Sequence, residues 1–313
     1  MNVDNQKCGC GDRTSPPPSI KNKFTDIAYA NKSETQKLDI YLPNEGKGPF
    51  PVIIAFHGGG CSESNKSSDY TDHMLQGLNH GYAVVTVDYR LSGEAKFPAA
   101  INDAKAVIRF IKVNAAQYNL NPNKITLWGS SAGRNLASLA GTTGGTNNCY
   151  DTSLGNANVL DNVTAVVDWF GPTNFCVMNK QFTESGIREQ VEGVQIYNTK
   201  YFFPSQYLGQ NISKVPYLCK QADSTTYITS KCPPLLIQHG TRDSIVSKQQ
   251  SVDLAAAITK EIGQDKVTLI LPDGAGHDID PFLLRNGIIH RGRQFDTAEN
   301  MDNVFVFLNR YMK

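Results

Sequence analysis

The stretch Ile125-Thr126-Leu127-Trp128-Gly129-Ser130-Ser131-Ala132-Gly133-Arg134-Asn135-Leu136-Ala137-Ser138-Leu139-Ala140 decides how this chain is read. Ile125–Trp128 is an unbroken run that suits a buried strand, and a helical pattern starts near Ala132 and continues to about Ala140. Between them lies Gly129-Ser130-Ser131-Ala132-Gly133, with the spacing G-x-S-x-G. A sharp strand-to-helix turn of this kind holds its central serine in strained backbone geometry, and side chains larger than glycine at its ends would clash. The Ser131 hydroxyl is thereby raised above a sheet edge at a helix N-terminus, the posture of a nucleophile. Alone the spacing is weak, because glycine and serine are common in loops. The strand–turn–helix setting is what makes it specific.

A serine needs a base, and the base needs an orienting acid. Where the serine sits on such an elbow, acid and then histidine follow it along the chain. Asp243, in Gln238-His239-Gly240-Thr241-Arg242-Asp243, comes just after the apolar run ending at Gln238. His277, in Asp273-Gly274-Ala275-Gly276-His277, comes just after the run ending at Leu271. Each is expected on a loop at the C-terminal end of a strand, the edge that also carries Ser131. Of six histidines most must be structural. His290 is the serious rival, but it sits in a basic loop-like stretch with no strand end to aim it. Upstream, His57-Gly58-Gly59-Gly60 follows the run ending at Phe56, and glycines there let backbone N–H groups reach a substrate oxygen. Gly58 or Gly59 with Ala132 are the expected oxyanion donors, and His57 is expected to brace the loop.

Outward from the elbow, two alternating segments near Phe24–Ala30 and Lys37–Leu42 read as antiparallel strands. Continuous apolar runs at Pro51–Phe56, Tyr82–Tyr89, Val163–Phe170, Pro234–Gln238 and Lys266–Leu271 read as strands covered on both faces. Helical spacing occupies Pro98 to Tyr118, Gln249–Ile262 and Thr297–Tyr311, and Asn121-Pro122-Asn123 reads as the turn ending the first of these. Strands alternating with helices predict an α/β fold with a mostly parallel sheet and helices on both faces. Residues 1–20 read as a disordered leader closed by Pro16-Pro17-Pro18, and 21–313 as one domain with an irregular, lid-like insertion at about 171–231. The insertion's many aromatics leave two readings open, a binding lid or plain packing onto the body.

The chain has 313 residues, 40% hydrophobic and 19% charged, with formal net charge +1. That balance gives no footprint for nucleic acid and no steering field for strongly anionic substrates. No apolar run is long enough for a membrane span. The N-terminus lacks the basic start and apolar stretch of a signal peptide, so a cytoplasmic protein is expected, the alternative being secretion with the signal absent from this chain. Seven cysteines leave at least one unpaired within the chain. Without a secretion signal thiols are favoured over disulfides, and no pair has zinc-site spacing.

With these residues in hand, the chain resembles the α/β-hydrolase esterases and lipases, and within them the bacterial branch related to feruloyl and acetyl-xylan esterases. The resemblance runs from about Phe24 to the C-terminus. Its most specific stretches are Asp88-Tyr89-Arg90-Leu91-Ser92, FPAAINDAKAVIRFIK ending at Lys112, WGSSAG, AVVDWFGPTNF, PPLLIQHGTRD and the closing helix. It implies a Ser131–His277–Asp243 triad, an oxyanion loop at the HGGG glycines, a structural place for Asp103, and neither metal nor organic cofactor. The implied partner is a small-molecule or oligosaccharide-linked ester. The runner-up chemistries are amide or peptide hydrolysis, or a binding protein that has lost catalysis. Three departures stand out. Arg134 occupies a position where the family has a small residue, so it is expected to push outward or disturb the elbow and to modulate activity. Ser247 stands where a proline is usual, and the segment 278–293 is longer than the family needs.

Overall fold

The structure is a computed structural model that describes residues 20–148, 151–186, 200, 202–277 and 295–313. Its strands are β1 (Asn22–Ala28), β2 (Lys37–Leu42), β3 (Phe50–Phe56), β4 (Ala83–Val87), β5 (Leu120–Ser130), β6 (Ala165–Trp169), β7 (Leu235–Gln238) and β8 (Val267–Ile270). They form one eight-stranded sheet in the order β1-β2-β4-β3-β5-β6-β7-β8. β1, β2 and β4 pair antiparallel, and every pairing from β4 through β8 is parallel. The helices are α1 (Asp72–Leu75), α2 (Ala99–Val113), α3 (Ala132–Thr142), α4 (Met178–Ser185), α5 (Phe203–Leu208), α6 (Pro216–Gln221), α7 (Gln249–Ile262) and α8 (Ala298–Met312).

Strand periodicity sorts the core into two layers. Ile54, Val85, Leu127 and Val166 face one side, where α2, α3 and α7 bring Ile101, Val107, Leu136 and Leu254. Ile53, Val84, Trp128 and Val167 face the other, where α1 and α8 bring Met74, Val304, Phe305 and Leu308. Both sheet faces are therefore covered, which is why these strands read as continuous apolar runs rather than alternating ones. The α/β-hydrolase architecture expected from the sequence is the one observed.

Two local expectations need correction. Asn121-Pro122-Asn123 does not end a helix; α2 stops at Val113 and the triplet lies inside β5. The turn chemistry is real, since the Asn123 N–H donates to Asn121 Oδ1 at 3.0 Å, but β5 accommodates it as a register shift opposite Phe50 and Val52. Cys176 and Cys219 are not thiols but a disulfide across 43 residues, with Cα atoms 6.0 Å apart. It joins the start of the 171–231 segment to α6. Cys61 and Cys232 are buried free thiols.

Within that segment Phe175, Phe182 and Tyr207 are buried in the same layer as α2 and α3, and Phe202 and Phe203 pack against it. For these five the packing reading holds, whereas Tyr217 is exposed. Tyr197 and Tyr201, most of the leader, His290 and the 278–293 segment lie outside the described residues. No helix among the described residues is long and apolar enough to cross a membrane.

Candidate active site

The elbow follows from its two glycines. Ser131 sits at φ 51° and ψ −119°, a conformation L-residues rarely adopt, between the last residue of β5 and the first of α3. A Cβ on Gly129 would lie 2.2 Å from the Gly133 carbonyl oxygen, and one on Gly133 would lie 2.1 Å from that of Phe56. Any larger residue at either place would force β5, α3 and the end of β3 apart. The Ser131 N–H donates to the Trp169 carbonyl at 2.9 Å, tying the elbow to the end of β6.

Parallel pairing of β5, β6, β7 and β8 brings their C-terminal ends to one edge, and the loops there are strapped together. The Thr241 N–H donates to the Pro272 carbonyl at 3.1 Å and the Arg242 N–H to that of Ala275 at 2.9 Å. A Cβ on Gly240 would sit 2.3 Å from the Ala275 carbonyl oxygen, so close passage of the two loops requires glycine there. This strapping delivers Asp243 and His277 to Ser131. His277 Nδ1 lies 2.7 Å from Asp243 Oδ2, and its Nε2 lies 3.0 Å from Ser131 Oγ. A carboxylate can only accept, so Nδ1 carries the proton and Nε2 is free to take one from the serine.

Asp243 is fully buried and saturated with donors. Its Oδ1 accepts the N–H groups of Ile245 and Val246, both at 2.8 Å. Its Oδ2 faces His277 Nδ1 and also His239 Nε2, at 3.0 Å. Burial alone would raise its pKa; the electrostatic pull of His277 and the hydrogen bonds from both histidines outweigh that and hold the carboxyl far below the usual range.

The glycine loop lies directly against the elbow. A Cβ on Gly58 would touch both Ser131 Cβ at 3.4 Å and the Tyr70 ring at 3.3 Å. Gly59 adopts φ +95°, and its carbonyl accepts the Ser62 and Glu63 N–H groups, which shapes the turn. Ala132 opens α3, so its N–H is one of the four that a helix leaves without an intrahelical partner. Gly58 and Ala132 thus border the same serine, while Gly59 turns against Glu63 and Ser64. His57 is buried, stacked on Tyr89 at 4.4 Å, with Nδ1 2.7 Å from the Gly58 carbonyl. Burial lowers its pKa to about 4, with the Gly58 contact opposing, so it is neutral at neutral pH and braces the loop.

Arg134 neither pushes outward nor disturbs the elbow. It is wholly buried, its Nε paired with Asp168 and its Nη1 donating to Thr173 Oγ1 at 2.6 Å. Asp168 also accepts from Ser138 Oγ at 2.7 Å. Burial raises the Asp168 pKa, and Arg134 is the largest influence opposing it. Arg134 has room because Gly171 has no side chain: a Cβ there would lie 2.6 Å from Arg134 Cδ and 2.2 Å from the Ser131 carbonyl oxygen. Ser247, the second departure, is buried, and its hydroxyl accepts the Gln249 N–H at the start of α7 at 3.3 Å.

Two neighbours escaped the sequence reading. Phe170 sits at φ 37°, rare for an aromatic residue, with its ring 4.9 Å from His277 and 4.5 Å from Phe295. Nothing in a phenylalanine after an apolar run signals this strain. His239 lies within the acid's own loop, where nothing in the sequence separates it from an ordinary structural histidine. Among the described residues, no group of three or more histidines, cysteines or acids is gathered as a metal site would need.

The BD-FAE family model matches residues 38–258. The esterase LipQ of Mycobacterium tuberculosis is 26% identical over 260 residues, covering 82% of this chain and 57% of LipQ. The carboxylesterase NlhH of the same organism is 34% identical over 128 residues, covering 40% of each chain. The chain spans about half or less of the length of the curated relatives it matches. Among solved structures, a carbohydrate esterase from gut microbiota, in truncated form, superposes with TM-score 0.76 at 27% identity, covering 94% of this chain and 97% of that one. A bifunctional GH43-CE protein of Bacteroides eggerthii gives TM-score 0.77 at 28% identity, covering 93% of this chain and 35% of that one.

Proposed function

Because the chain belongs to the BD-FAE family, we propose that it is a carboxylic ester hydrolase acting through an acyl-enzyme on Ser131. The observation that carries the reading is the hydrogen-bonded line from Ser131 Oγ through His277 to Asp243. His277 Nε2 takes the hydroxyl proton as Oγ bonds to the ester carbonyl carbon, and the carbonyl electron pair moves onto oxygen. N–H groups of Gly58 or Gly59 and of Ala132 hold that oxyanion. Asp243 keeps the imidazole in the right tautomer and stabilises its protonated form. When the carbonyl reforms, the C–O bond to the alcohol breaks and His277 gives the alcohol its proton. Water then attacks the acyl-enzyme with His277 again as base, releasing the acid and restoring Ser131.

The substrate is proposed to be a short-chain or aromatic acyl ester, of the acetyl or feruloyl kind, on a small or oligosaccharide-linked alcohol. Support comes from the two structural neighbours, one a carbohydrate esterase and the other a bifunctional GH43-CE protein. The alternative of a catalytically impaired binding protein rests on Arg134, a side chain buried behind the elbow and paired with Asp168.

The test is a panel of p-nitrophenyl acetate and butyrate, the matching p-nitroanilides, acetylated xylo-oligosaccharide and methyl ferulate. Both nitrophenyl esters and at least one of the last two should be hydrolysed, with the anilides left intact. Anilide turnover equal to ester turnover would move the proposal to amide hydrolysis.

A further inference from the structure

Asp243 is served by a second histidine that the mechanism above does not use. His239 ends the sheet just beyond β7, fully buried, with its Nε2 2.9 Å from the Val246 carbonyl and 3.0 Å from Asp243 Oδ2. Both neighbours can only accept, so Nε2 carries a hydrogen, aimed at Val246 and shared with the carboxylate. On the other side of the ring Nδ1 lies 2.7 Å from Ser251 Oγ of α7, which can donate to it. The imidazole therefore donates through Nε2 and can accept at Nδ1, with both nitrogens satisfied. Val246 and Asp243 belong to one turn, and that turn's own N–H groups, from Ile245 and Val246, hold Oδ1. One ring thus clamps the turn through its carbonyl and places a positive N–H edge on the oxygen that also receives His277.

We propose that His239 is a positioning residue for the acid, fixing the Asp243 carboxylate and moderating the charge it presents to His277. The inference rests on the esterase reading above. Among the described residues, the groups facing the His277 imidazole are Ser131 from the elbow, Asp243 from the loop after β7 and the Phe170 ring from the end of β6. His239 faces Asp243 and Ser251, and it also acts electrostatically on Asp168 of β6, whose charge Arg134 of α3 matches. Losing the His239 N–H leaves more negative charge on Oδ2, which favours protonated His277. The acid limb of the pH–rate profile must then move to higher pH, because the imidazolium cannot act as base.

The experiment measures kcat and KM for p-nitrophenyl acetate from about pH 5 to 9 with the parent, His239→Ala, His239→Gln and Ser131→Ala. His239→Ala should lower kcat about tenfold, the scale of a hydrogen bond to a charged group, with KM little changed and the acid limb displaced upward. His239→Gln, whose amide N–H can reach the same two oxygens, should recover most of both effects. If His239→Ala does not fold, Ser251→Ala loosens the ring without emptying its pocket and should move the limb in the same direction by less. The proposal is overturned if folded variants lose thermal stability, alike for alanine and glutamine, while the acid limb stays in place. Ser131→Ala separates the two readings: retained activity in that variant refutes the esterase mechanism itself, whereas its inactivity beside an unmoved limb refutes only the role of His239.

Discussion

Replacing Ser131 with alanine should lower kcat on p-nitrophenyl acetate by roughly 10⁶-fold, the scale on which removing the nucleophile of a serine triad acts. The hydroxyl next to it in the chain cannot stand in. Ser130 is the adjacent candidate, but it ends β5 in register with Trp169, and its Oγ is buried. What survives in the variant is a rate above water due to the oxyanion donors and substrate binding. Stability should hardly change. Alanine meets the same φ of 51° as serine, both glycines stay, and among the described residues the side-chain hydrogen bond lost is the one to His277 Nε2 at 3.0 Å. Kinetics and thermal unfolding on one preparation check this. A large fall in the unfolding midpoint would mean that Ser131 holds the elbow together rather than presenting a nucleophile.

Arg134→Ala should produce the opposite profile, a large loss of stability. The substitution leaves Asp168 buried at zero exposure with Ser138 as its remaining hydrogen-bond donor. Breaking a buried pair by removing one partner costs about 3–5 kcal/mol, since the other charge stays in a low-dielectric interior. Thr173 loses its donor as well, although its own hydroxyl still reaches the Gln250 carbonyl at 3.1 Å. The pH dependence has a definite sign. Burial raises the Asp168 pKa above the usual carboxylate value, and losing Arg134 raises it further. A group whose folded pKa is raised contributes stability below its unfolded pKa and loses it as pH rises through the folded value. The deficit of Arg134→Ala should therefore grow from acid toward neutral pH. The double variant Arg134→Met with Asp168→Leu should regain most of the loss, because an apolar pair of similar volume is commonly neutral in such places. Urea unfolding of the three proteins at two pH values decides it; a single variant within about 1 kcal/mol of the parent would show the pair to be energetically idle. Removing Arg134 is not expected to speed the enzyme, because the elbow already has its strained form with the arginine in place.

The contrast between Arg134 and Ser131 shows where the sequence could be read and where it could not. The elbow, the acid and the histidine each follow directly on a strand, and the strands could be counted from their apolar runs; their meeting at one edge is a consequence of parallel pairing. Arg134 needed one more fact, the register of β5 against β6, which sets Gly129 opposite Asp168 and so puts a carboxylate beneath the elbow. The clue was present: Asp168 is the only charged residue in the strand Ala165–Trp169, and a buried acid demands a partner. The Cys176–Cys219 bridge depends on how short helices pack across the 171–231 segment, where no periodicity survives to be read. Asn121-Pro122-Asn123 carried true turn chemistry, and only pairing with Phe50 on one side and Val52 on the other reveals that a strand runs through it. His239 lay in plain view inside the acid's own loop, but its two acceptors become visible only once that loop is folded.

The most direct test of the central claim is the mass of the enzyme after reaction with a p-nitrophenyl alkylphosphonate, located by peptide mapping. Attack by Ser131 Oγ on phosphorus, with p-nitrophenolate leaving, predicts one equivalent of nitrophenolate released and one phosphonyl group on the peptide that contains Ser131. The same treatment should leave Ser131→Ala unmodified. Ester hydrolysis by a protein that takes up no label, or takes it up elsewhere in the chain, would contradict the assignment of Ser131 as the nucleophile.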